Sequence, residues 1–437
     1  MRTETMSAFS MTMSHPRRFA SAALLAMFAA GAAPQASAQI PAPAQSGPVA
    51  LTGATIHTVT QGIIDGGTIV FEGGVITALG ANAEVPAGAQ RIDVAGRHIY
   101  PGLIDAYSQM GLYEIGGFDQ TIDLVELGTI NPNARAEVAF HPESRHIGVA
   151  RSNGVLVTVS SPSGGLISGQ AAAMMLDGFT WEQMVLRRGA GLVVNWPSTS
   201  DEDDYDDALG EIRDAFAEAR AYRTAVLADG EEGGRYVASD SRWEAMVPVL
   251  DGSMPVIVSA SDVRQMQDAI AWAAEEGVRI VLRGGADAWH IADQLAMQQI
   301  PLLVTSVLDS PGRAWEPYDA AYGLPGRLHA AGVRFAITGG ASAAYANRLP
   351  YEAGAAVAYG LPPEEALRAV TIYPAEMLGF DDRVGSLEVG KDATLLVTDG
   401  NPLEYATTIE SIFIEGREID LNDAHRAAFQ KYHNRRR

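Results

Sequence analysis

Cysteine is absent from this 437-residue chain. Disulfides, thiolate metal sites and cysteine nucleophiles are therefore excluded. Lysine is almost absent, with only Lys391 and Lys431. Histidine is sparse, at nine residues. No two of the nine show the i, i+2 strand spacing or the i, i+4 helix spacing that aims two imidazoles at one metal. Each histidine is accordingly read as a hydrogen-bonded structural or surface residue. Basic charge is also scarce: 31 Lys and Arg face 53 Asp and Glu, a net charge of −22. Nucleic acid and anionic membrane surfaces need a basic face, so neither is expected as a partner.

Long apolar runs are missing beyond the first 40 residues. Near the start, Arg17 and Arg18 precede the run from Phe19 to Ala33, which is too short and alanine-rich to span a bilayer. Ala36-Ser37-Ala38 then offers the small residues of a signal-peptidase site. Residues 1–38 are expected to be a signal peptide, and the mature protein to be periplasmic or secreted, with no membrane contact after cleavage. Removing them takes away three arginines and one glutamate and leaves a net charge of −24. Residues 39–48, with Pro41, Pro43 and Pro48, read as a flexible linker. The acidic run Asp201–Asp207 precedes a helical pattern and reads as a solvated helix start.

What remains has two textures. Residues 49–99 are rich in β-branched residues and glycine turns, which predicts short antiparallel strands. Residues 384–420 repeat that style, and 421–437 form a C-terminal tail. Neither piece can bury a core alone, but paired they make one small sheet domain. Between them, residues 100–383 alternate short apolar runs with helical patterns. The runs are 102–107, 155–160, 171–176, 191–195, 255–260, 279–283, 301–306 and 334–339. This pattern predicts an α/β fold, a TIM-type (β/α)8 barrel, with a doubly wound open sheet as the alternative. No full helix separates the runs between 155 and 195.

The stretch Tyr100-Pro101-Gly102-Leu103-Ile104-Asp105-Ala106-Tyr107-Ser108-Gln109 resembles the first barrel strand of the amidohydrolase superfamily, where it reads PGLIDxHxH. Gly164–Gln170, Asn347–Gly354, Thr371–Gly379 and Val384–Val397 resemble further segments of its imidazolonepropionase-like members. The resemblance covers roughly residues 49–420. It implies a barrel with a composite β-sandwich built from both chain ends, and hydrolysis of carbon–nitrogen bonds other than peptide bonds. It also implies zinc or another divalent metal and a tendency to oligomerise.

The ligand positions of that family are substituted here. Tyr107 and Gln109 stand in the two histidine slots, Ser259 and Arg283 in the later ones, and Gly340 where a catalytic aspartate is usual. No lysine lies in the barrel to form a bridging carbamate. Arginine carries a fixed charge and does not ligate, so no metal or other cofactor is expected. Asp105, Tyr107 and Gln109 lie two apart and share a strand face. Asp105 and Tyr107 are the candidate catalytic groups. Asn195, Arg283, Thr305 and Thr338, beside Thr158, are candidate ligand-binding residues. Two functions follow: an exported hydrolase of carbon–nitrogen bonds with impaired chemistry, or a non-catalytic pseudoenzyme. The expected partners are a small-molecule ligand, a second copy of the chain or an active paralogue.

Overall fold

The computed structural model describes residues 41–229, 238–433 and 435, and every statement below concerns these. The expected signal segment, with Gln39 and Ile40 of the linker, lies outside them. Among the described residues, no helix is long and apolar enough to cross a membrane.

One eight-stranded sheet draws on both ends of the chain. β1 (Val49–His57), β2 (Ile63–Glu72), β3 (Val75–Gly80), β4 (Gln90–Asp93) and β5 (His98–Pro101) precede the barrel. β14 (Leu395–Thr398), β15 (Ile409–Ile414) and β16 (Arg417–Ile419) follow it. Their order is β16-β15-β14-β5-β1-β2-β3, with β4 paired to β1. The seam is β14 against β5, antiparallel, with Leu396 opposite Tyr100. Leu51, Ile56, Ile69, Phe71, Ile99, Leu395 and Phe413 form the buried core of this layer. Gly73 and Gly74, both at positive φ, close the β2–β3 hairpin, a geometry that a two-residue turn requires. The segment expected to be a flexible linker is bonded to this sheet. Gln45 donates to the Phe71 carbonyl at 2.8 Å and accepts the Gly74 N–H at 3.1 Å.

The second sheet is the barrel. Its strands are β6 (Leu103–Ser108), β7 (Val155–Ser160), β8 (Ile167–Met175), β9 (Val185–Asn195), β10 (Val256–Ala260), β11 (Ile280–Gly284), β12 (Leu302–Val304) and β13 (Phe335–Ile337). They neighbour one another in sequence order from β6 to β13, which is barrel winding rather than the doubly wound alternative. Helices cover their outer faces. In Val263–Glu276, Asp262 accepts the Gln265 N–H in a capping box, and Gly277 ends the helix in the left-handed conformation. Met266, Ala269, Ile270 and Ala273 form its buried stripe, at the spacing a strand-covering helix needs. The acidic run becomes the first turn of helix Glu202–Asp229.

One strand departs from the expected barrel. The run 171–176 lies in β8, and β8 is antiparallel to both β7 and β9. Antiparallel neighbours need only a short turn, whereas parallel ones need a crossover. This is why no full helix separates the runs between 155 and 195. The barrel seam, between β13 and β6, carries no strand ladder. It is bridged instead by the Gly339 N–H to Asp105 Oδ1 at 3.1 Å and the Gln109 N–H to the Ala341 carbonyl at 2.7 Å.

Candidate functional site

In parallel strands, residues opposite one another share an orientation. Register places Asp105 beside Thr158, and Ser259 between Asn195 and Arg283. Three of the substituted positions meet in space. The Arg283 guanidinium carbon lies 4.0 Å from the centre of the Tyr107 ring, and Arg283 donates to Ser259 Oγ at 3.2 Å. This is a cation–π contact with a hydroxyl brace. Tyr107 is only 3% exposed. Burial raises the pKa of its phenol, against the pull of Arg283. Arg283 Nε is buried and makes no hydrogen bond among the described residues. Gln109 and Gly340 stand at the same end, half-buried.

Asp105 lies two residues deeper and is fully buried. Oδ1 accepts the Gly339 N–H, and Oδ2 has no partner among the described residues. Burial pushes its pKa up to about 7, against lowering contacts from Gly339, Tyr107 and Ser108. Gly339 packs tightly, since a Cβ there would press on the Ala346 backbone and Asp105 Oδ2.

Two of the candidate ligand residues are committed elsewhere. Asn195 donates its amide to the Gly165 carbonyl and to Ser168 Oγ, both at 2.9 Å, and so pins the 164–168 loop. Thr338 is buried and donates to the Thr305 carbonyl at 3.1 Å. Thr305 itself borders a cavity of about 200 Å³ beside the mouth, with Trp289 and Trp315. Sequence reasoning missed Glu352, a buried carboxylate that accepts the Val307 and Leu308 N–H groups at 2.7 Å each and braces that loop. Its place in the closing-helix motif was visible, but its bonding was not.

The family metal does not fit these residues. Among the described residues, no three His, Asp or Glu side chains gather as a metal site. More decisively, the guanidinium fills the space over Tyr107 with a permanent positive charge. A divalent ion about 4 Å from that charge is repelled by roughly 8 kcal/mol at an effective dielectric of about 20. A phenol with a raised pKa, a neutral amide and a hydroxyl do not offset such a term.

The architecture is an eight-stranded barrel wound in sequence and joined to a sheet made from both chain ends. An amidohydrolase family model matches residues 244–422. The amidohydrolase tasK of Hapsidospora irregularis is 26% identical over 391 residues, covering 80% of this chain and 39% of that protein. Adenine deaminase 3 of Rhizobium meliloti is 23% identical, covering 84% of this chain and 57% of its own. The chain thus spans less than two thirds of either relative. The imidazolonepropionase of Pseudomonas paraeruginosa is 24% identical, with 81% and 92% covered. The solved amidohydrolase of Thermotoga maritima superposes with a TM-score of 0.78 at 26% identity, over 85% of this chain and 99% of that one. Together these likenesses support a place in the amidohydrolase superfamily.

Proposed function

We propose that this barrel has lost metal-assisted hydrolysis of carbon–nitrogen bonds and binds a small anionic ligand at Arg283. On this reading the protein is an exported, non-catalytic member of its family, periplasmic or secreted, working as a homo-oligomer or beside an active paralogue. The observation that carries it is the Arg283–Tyr107–Ser259 cluster. It holds a fixed cation at the carboxyl ends of the strands, where barrels place their functional groups. In a chain of net charge −22, a half-buried guanidinium with donors to spare suits a carboxylate or phosphate.

Two measurements test the reading together. Calorimetric titration with acetate and with inorganic phosphate is expected to give an isotherm that Arg283→Met abolishes; an isotherm unchanged in Arg283→Met overturns it. Anomalous scattering is expected to show no transition metal between Tyr107, Gln109 and Ser259, and a firmly held ion there refutes the loss of metal chemistry. Co-purification from the native host tests the paralogue, and N-terminal sequencing of the exported protein tests cleavage after Ala38.

One observation favours a second reading, metal-free hydrolysis with Asp105 as general base. Its pKa of about 7 suits proton transfer near neutral pH. Against this, the carboxylate is fully buried and half committed to Gly339. If Asp105 is the base, Asp105→Asn abolishes whatever turnover the protein shows; unchanged turnover rejects that role.

A further inference from the structure

We propose that His57 and His98 form a two-imidazole site for a borderline divalent metal ion, on the sheet built from the chain ends and separate from the barrel. His57 ends β1 and His98 begins β5, strands that run parallel with Thr55 opposite His98. That register brings together two residues that sequence spacing kept apart. His57 Nε2 lies 3.1 Å from His98 Nδ1. Two nitrogens bound to one tetrahedral zinc, at bonds of about 2.05 Å, lie about 3.4 Å apart. A cis pair on square-planar copper(II) lies about 2.9 Å apart for the same bond length. The resting separation falls between these values.

The rings now share a hydrogen bond, so their facing nitrogens point roughly along the N···N line. A tetrahedral ion needs each lone pair to swing by about 35° off that line. The broad χ2 wells of histidine allow this. The ring that donates in the resting pair moves its proton to its other nitrogen, so binding releases none. Tyr100 stacks on His57 with centroids 4.1 Å apart and planes 11° apart, which covers one face of the ring. Both rings are half-exposed, so water can complete the coordination shell.

The probe is copper(II), the strongest binder of the divalent series at nitrogen sites. Titration of the full-length mature protein at neutral pH is expected to give one site per chain. Its electron paramagnetic resonance spectrum should show hyperfine coupling to two imidazole nitrogens. His57→Ala and His98→Gln should each remove that coupling while circular dichroism stays unchanged. An all-oxygen spectrum, or coupling that survives both substitutions, overturns the proposal. Because the barrel is untouched in both variants, this outcome is independent of ligand binding at Arg283.

Discussion

Burying a carboxylate costs free energy, and Asp105 is buried completely. What the fold gains is closure, since Oδ1 takes the Gly339 N–H across the one barrel seam that has no strand ladder. The titration of Asp105 then carries a sign. Its folded pKa of about 7 lies above the ordinary value of about 3.9. Protonation therefore favours the folded state. The contribution is complete below about pH 4 and is lost as pH rises through about 7. Asparagine keeps the acceptor oxygen and removes the charge. Relative to Asp105→Asn, the wild type is expected to lose roughly 4 kcal/mol between about pH 4 and about pH 7. Urea denaturation of both proteins at the two pH values measures this difference, and parallel pH profiles would contradict it. Arg283 works differently, since its charge is fixed and its contact with Tyr107 persists across this range.

At the scale of elements, the helix Val263–Glu276 rests on its cap as well as on its buried stripe. Asp262 accepts the Gln265 N–H, while the Gln265 side chain reaches back to the Asp262 N–H. Asp262 also accepts from Thr199 at 3.0 Å, which ties the helix start to the loop after β9. Asp262→Ala is expected to destabilise the protein by about 1–2 kcal/mol. A loss of less than about 0.3 kcal/mol in the unfolding free energy from urea denaturation would show that the cap is dispensable. Elements of this kind were legible in the sequence. Most barrel strands appear as short apolar runs because both their faces are buried, and Val155–Ser160 is one such run. The direction of β8 was not legible, since an apolar run carries no arrow. Its trace was the missing helix between 155 and 195. The sequence offered Tyr107, Ser259 and Arg283 as separate strand-end positions, but their mutual contact was not legible. Asn195 and Thr338 show the opposite limit. A polar side chain at a strand end serves a ligand or a neighbouring carbonyl equally well, and here it serves the carbonyl.

For the molecule as a whole, the two layers are joined by a buried charge cluster centred on Asp177, which follows β8. Asp177 accepts from Arg151 on the barrel side at 2.9 Å and from Arg417 of β16 at 2.5 Å. The Ala42 N–H approaches the same carboxylate at 3.4 Å, so the start of the described chain joins the cluster as well. The pKa shifts of both groups run against their attraction. Burial raises Asp177 although two arginines pull it down, and burial lowers Arg151 although Asp177 pulls it up. Desolvation therefore outweighs Coulomb attraction for each, as expected for buried pairs. The cluster fixes how the layers meet and adds little net stability of its own. Removing Asp177 is a separate matter, because it leaves the like charges of Arg151 and Arg417 together without the carboxylate that bridges them. Asp177→Ala is expected to cost about 3–5 kcal/mol. The triple replacement Asp177→Leu, Arg151→Met and Arg417→Met is expected to recover most of that loss. Equilibrium unfolding of the two variants decides between the accounts. A triple variant no more stable than Asp177→Ala would mean that the charges themselves hold the layers together.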